Sequence, residues 1–145
     1  QLTIATPSNM RWADGLALSG FTLPPGPYHP GEIVPLTLGW AAWQAPAQDY
    51  TLFVHLIGPD GAVWGQFDRA PTPPTSQWQP NSPQAGLYGP TLRLDAPPGR
   101  YRVIVGWYSY PSLERVALQS GADAFELGTV EVAPLADLPA QARPQ

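Results

Sequence analysis

His29 and His55 are the only imidazoles in this chain, and eleven acidic residues supply its side-chain carboxylates. Nucleophilic catalysis would need one imidazole as base, a nucleophile within hydrogen-bond reach and a third group to orient the base. The chain has no cysteine, and no Gly-x-Ser-x-Gly elbow is present to hold a serine nucleophile. His55 stands among Leu52, Phe53, Val54, Leu56 and Ile57, which predicts a core or sheet-face histidine satisfied by hydrogen bonds. His29 falls in a proline- and glycine-rich connection and is expected to be exposed. Two carboxylates could hydrolyse a glycoside at a separation of roughly 5–9 Å. Asp14, Asp60, Asp95 and Asp123, however, read as turn or strand-end residues, and Asp68 precedes Arg69, with which an ion pair is expected. No catalytic residue is assigned.

Metal and phosphate chemistry find no pattern either. Zinc would call for clustered His or Cys, and the spaced acids of a calcium loop are missing, so Ser120–Asp123 reads as a plain turn. No metal site and no cofactor are expected. The chain lacks lysine altogether, which removes the Gly-Lys step of a phosphate-cradling loop. Asn81-Ser82 is followed by Pro83, which blocks N-glycosylation.

The aromatic residues are a second source of candidates, with six tryptophans and six tyrosines. Trp40, Tyr101, Val105 and Trp107 fit inward positions. Trp78, Tyr88, Tyr108 and Tyr110 sit in loops, beside prolines, or on the opposite face. A flat aromatic face can stack on the CH groups of a sugar while nearby Gln, Asn or Asp meet its hydroxyls. Trp78, Tyr88 and Tyr110 are therefore the candidate carbohydrate-binding residues. In the alternative reading, these loop aromatics fold back and cap the ends of the core.

The elements that would position these groups are strands. After Pro97-Pro98-Gly99, Tyr101, Val103, Val105 and Trp107 recur at every second residue, the period of an extended strand with one buried face. Val34, Leu36, Leu38 and Trp40 repeat the pattern. Asp49 to Ile57 is an apolar strand, and Pro59-Asp60-Gly61 turns it into a hairpin with residues 62–68. A three-residue loop with a glycine bulge pairs Ile57 with Val63 and His55 with Gly65, whereas a two-residue loop pairs His55 with Gln66. The bulged form suits Pro-Asp-Gly. Further strands are predicted at residues 2–5, Gly15–Leu23, Leu87–Asp95, a short one near Arg115–Leu118, and Ala124–Val132. Proline-rich residues 70–85 read as a long surface loop.

Length and composition bound the rest. A chain of 145 residues with 43% hydrophobic residues fits one domain with a continuous core. Twenty prolines and fourteen glycines fall mostly between apolar segments, where many short strands need turns. A formal charge of −4, with scattered arginines, excludes a nucleic-acid partner and a basic membrane-binding patch. No apolar stretch reaches the ~18–20 residues of a membrane span, so no membrane insertion by this chain is expected. The chain opens on Gln1, which reads as a fragment whose anchor or export signal lies elsewhere.

Several stretches also carry a likeness: Tyr50–Gly61, Gln66-Phe67-Asp68, Pro74–Trp78, Pro98–Tyr108 and Glu114-Arg115. Over residues 30–132 the chain resembles the extracytoplasmic β-sandwich domains of bacterial multi-spanning membrane glycosyltransferases. Those enzymes are similar to dolichyl-phosphate-mannose–protein mannosyltransferases. Relatives often carry Gly-Glu after a Trp-x-Pro element, where this chain has Asn81-Ser82, so that loop is expected to differ in shape. The resemblance implies a sandwich outside the cytoplasm, with transferase chemistry in a membrane part of the parent protein.

The expectation is thus an all-β, antiparallel β-sandwich, immunoglobulin-like or carbohydrate-binding-module-like, of roughly seven to nine strands. Residues 1–132 form the domain and 133–145 a Pro/Ala-rich tail. Its expected role is that of a non-catalytic extracytoplasmic accessory domain, attached to a membrane glycosyltransferase-like protein. The alternatives are a carbohydrate-binding module and a structural protein–protein interaction domain. Partners would be a glycan or other parts of a membrane protein.

Overall fold

The computed structural model describes residues 3–137. Eight strands follow one another: β1 (Thr6–Arg11), β2 (Leu16–Thr22), β3 (Leu36–Ala42), β4 (Thr51–Ile57), β5 (Val63–Arg69), β6 (Gln84–Tyr88), β7 (Gly99–Tyr108) and β8 (Phe125–Val132). They form two four-stranded sheets, ordered β1-β2-β3-β6 and β5-β4-β7-β8, and every ladder is antiparallel. The protein is an all-β sandwich.

Period-two alternation decides what lies between the layers. Leu36, Leu38 and Trp40 from β3 meet Leu52, Val54 and Leu56 from β4 and Tyr101, Val103, Val105 and Trp107 from β7. Full burial of each aliphatic side chain contributes about 1.5–3 kcal/mol before entropy is counted. Four indoles run through this core in edge-to-face contact. Trp12 meets Trp40 at 5.4 Å, Trp40 meets Trp107 at 4.9 Å, and Trp107 meets Trp78 at 5.8 Å. That geometry sets the positive edge of one ring on the negative face of the next. At the start of β7 the Tyr101 hydroxyl donates to the Pro97 carbonyl at 2.6 Å and ties the strand to its own turn.

Several expected boundaries move. The first edge strand is Thr6–Arg11 rather than residues 2–5. Residues 3–5 form no ladder, and Leu2 lies outside the described residues. Ile4 instead lies over Gly20 and Gly39, whose missing side chains leave room for it, while β1 is exposed along nearly its whole length and so shows no alternation. The strand expected at Leu87–Asp95 is β6, which ends at Tyr88. Beyond it Pro90 has no N–H to offer, and the chain crosses toward the other sheet, where the Arg93 N–H donates to the Trp64 carbonyl. Arg115 and Leu118 make isolated bridges to Tyr108 and Trp12 rather than a strand.

Residues 70–85 do not simply lie over the surface. A short 3₁₀ turn at Thr75–Gln77 brings Thr75 and Trp78 into the interior. There the Thr75 hydroxyl donates to the Gln48 carbonyl at 2.6 Å and accepts the Tyr50 N–H at 3.0 Å. The tail begins with one 3₁₀ turn, Leu135–Asp137, and the rest of it lies outside the described residues.

Candidate functional site

The β4–β5 hairpin turns through Gly58–Ala62, with Gly61 at a φ of +82°. Its first pair is Ile57 with Val63, as the glycine-bulge form requires. The register then shifts again, so that Leu56 pairs with Gly65 and His55 with Gln66 rather than with Gly65. Trp64 is the extra residue of this second bulge. The indole of Trp64 donates to the Asp60 carboxylate at 2.9 Å, which anchors it at the turn.

On the other side β4 pairs with β7, setting His55 opposite Ile104 and Phe53 opposite Gly106. The outward residues of β4, β5 and β7 therefore gather Phe53, His55, Gln66, Asp68 and Tyr108 on one sheet face. After β7, residues 109–114 loop back and place Leu113 and Arg115 beside them. These seven residues line a recess of about 250 Å³.

Glycine makes its floor possible. A Cβ on Gly106 would lie 2.6 Å from two carbons of the Phe53 ring, so the ring lies flat across β7 only because that position is bare. The Arg115 guanidinium covers this ring at 4.4 Å from its centre, and its weak contact to Asp123 is 3.4 Å long. His55 packs against the same ring at 4.8 Å. The Tyr108 hydroxyl donates to Asp68 at 2.7 Å.

These neighbours set the protonation states. Burial lowers the His55 pKa below its ordinary value, the Arg115 charge lowers it further, and Asp68 partly opposes both. His55 is therefore neutral at neutral pH and presents one donor and one acceptor. Burial, and then the hydrogen bond to Asp68, push the Tyr108 hydroxyl up to about 12. The recess thus combines a neutral imidazole, an amide, a carboxylate, a guanidinium and a phenol around apolar surface. Asp68 is the one carboxylate among its lining residues.

Two of the three aromatics expected to stack on a sugar are elsewhere. Trp78 is 2% exposed and Tyr88 6% exposed, both within the core cluster. Neither can present a ring face to a sugar, because the loop and β6 direct them inward to fill the space between the sheets. Tyr110 is 76% exposed. It belongs to the same loop as Leu113, two residues beyond Tyr108. Tyr110 does not itself line the recess, and none of the seven residues that do was a binding candidate in the sequence.

Two other expectations are corrected. Asp68 and Arg69 do not pair, because successive strand residues point to opposite faces. Asp68 faces outward to Tyr108, and Arg69 stacks on Phe67 and Tyr88. His29 is half-buried rather than exposed, with its backbone N–H on the Glu32 carboxylate at 2.8 Å. Among the described residues no three His, Asp or Glu side chains gather where they could hold a metal ion. No helix there is long and apolar enough to cross a membrane. No protein-family model matches the chain, and no curated protein matches it.

Proposed function

We propose that this domain is a non-catalytic binding module whose outer-face recess on β4, β5 and β7 takes a sugar residue. The observation that supports this most directly is the mixed lining. His55, Gln66, Asp68 and Arg115 supply donors and acceptors suited to hydroxyls, and Tyr108, Leu113 and the nearby exposed Tyr110 supply apolar surface. Such a concave, partly apolar site with a few fixed polar groups is how small ligands are held.

In this reading the domain serves as an extracytoplasmic accessory to a membrane glycosyltransferase-like protein, and the sugar belongs to that enzyme's substrate or product. The strand order β2-β3-β6 opposite β5-β4-β7-β8, and the Tyr101 hydroxyl bound back to Pro97, favour an immunoglobulin-like sandwich. Calorimetric titration with neutral mono- and oligosaccharides tests the binding. Saturable heat in the native domain, abolished in Asp68→Ala, is the expected result. No heat with any sugar would leave protein contact as the role of this face.

A further inference from the structure

A second recess lies where the edge strands β5 and β6 flank the open side of the sandwich. It measures about 80 Å³ and is lined by Trp40, Trp78 and Tyr88, with Arg69, Thr72 and Gln84 toward its mouth. Trp40 is 1% exposed, and its indole N–H has no hydrogen-bond partner. Burial raises the Tyr88 pKa above its ordinary value, and the Arg69 charge and then the nearby Trp40 indole partly oppose it. Tyr88 has this space for its hydroxyl because Gly86 is bare, and a Cβ there would meet the oxygen at 3.0 Å.

Arg69 completes the arrangement. Its guanidinium sits 4.8 Å from the Tyr88 ring centre and 5.0 Å from that of Phe67. Among the described residues it has no ion pair. A cation, a phenol and a buried indole N–H therefore converge on one small space whose lining contains no carboxylate. The guanidinium and the indole N–H meet only neutral acceptors there, the hydroxyls of Tyr88 and Thr72 and the Gln84 amide, and a guanidinium fork matches a planar pair of anionic oxygens best.

We propose that this recess binds a carboxylate group, taken by Arg69, Tyr88 and the Trp40 indole N–H. A single positive charge suits a singly charged carboxylate better than a phosphate dianion. The carboxylate could belong to a free organic acid or to an acidic sugar. This inference does not depend on sugar binding at the outer-face recess.

The test is an NMR titration of the ¹⁵N-labelled domain with sodium acetate and with sodium glucuronate, against sodium chloride at equal ionic strength. The Trp40 indole resonance is assigned through its contacts with Tyr88. It is expected to shift saturably with at least one carboxylate, and Arg69→Gln should weaken that binding about tenfold or more. Saturation by acetate identifies a free carboxylate as sufficient, and saturation by glucuronate alone assigns the group to a sugar acid. An unmoved Trp40 resonance, a shift equal to that in chloride, or an affinity unchanged in Arg69→Gln would overturn the proposal.

Discussion

The Tyr108 hydroxyl reaches across the central strand β4 to the Asp68 carboxylate at 2.7 Å, joining β7 to β5 over the Phe53 ring. Asp68 also acts on His55, whose pKa it raises while Arg115 lowers it. Asp68→Asn should therefore lower the His55 pKa further and bring the Tyr108 hydroxyl down from about 12. Arg115→Gln should move His55 upward. Proton NMR titration of the His55 ring reads both changes, and equal pKa values in the two variants would contradict the electrostatics assigned to the recess.

The same histidine links stability to pH. Its folded-state pKa lies below the ordinary 6.5, so on acidification the unfolded chain takes up the proton first. The contribution of His55 is fully present above about 6.5 and is lost as pH falls through the folded value. Urea unfolding of the native domain should weaken across that window. His55→Gln should flatten the slope there, and an identical slope would refute the assignment.

Gly106 is predicted to be intolerant of even one methyl group. In Gly106→Ala the new carbon would press on the Phe53 ring, and overpacking of this kind costs about 1–3 kcal/mol. Because Phe53 floors the recess, sugar binding should weaken together with stability. Chemical denaturation and calorimetric titration check the two effects separately.

Trp78 and Tyr110 should separate core from surface. Trp78→Ala removes a buried indole from the aromatic chain and is expected to cost about 3–5 kcal/mol. Tyr110→Ala is expected to change stability by less than about 0.5 kcal/mol, while reducing sugar affinity. A stable Trp78→Ala domain that had lost sugar binding would reverse these roles.

How far the chain could be read without coordinates depended on burial of one face. β3, β4 and β7 alternate apolar residues against a shared core, so Leu36 to Trp40 and Tyr101 to Trp107 announced their strands. β1 buries almost nothing, and its sequence Thr6–Arg11 carried no such rhythm. Thr75 and Trp78 were hidden by their proline-rich surroundings, which resemble an exposed loop until the buried hydrogen bonds of Thr75 are seen. The recess was less legible. Its members come from β4, β5, β7 and the loop to Arg115, and only long-range pairing brings them together. The second bulge, at Trp64, set His55 beside Gln66, and nothing in the local turn chemistry signalled it.

Chemical-shift mapping of the ¹⁵N-labelled domain with a panel of neutral oligosaccharides tests the central proposal most directly. Saturable shifts confined to residues 53–55, 66–68 and 106–115 are expected, with Tyr110 among them. Shifts clustered elsewhere, or none with any sugar at millimolar concentration, would contradict it.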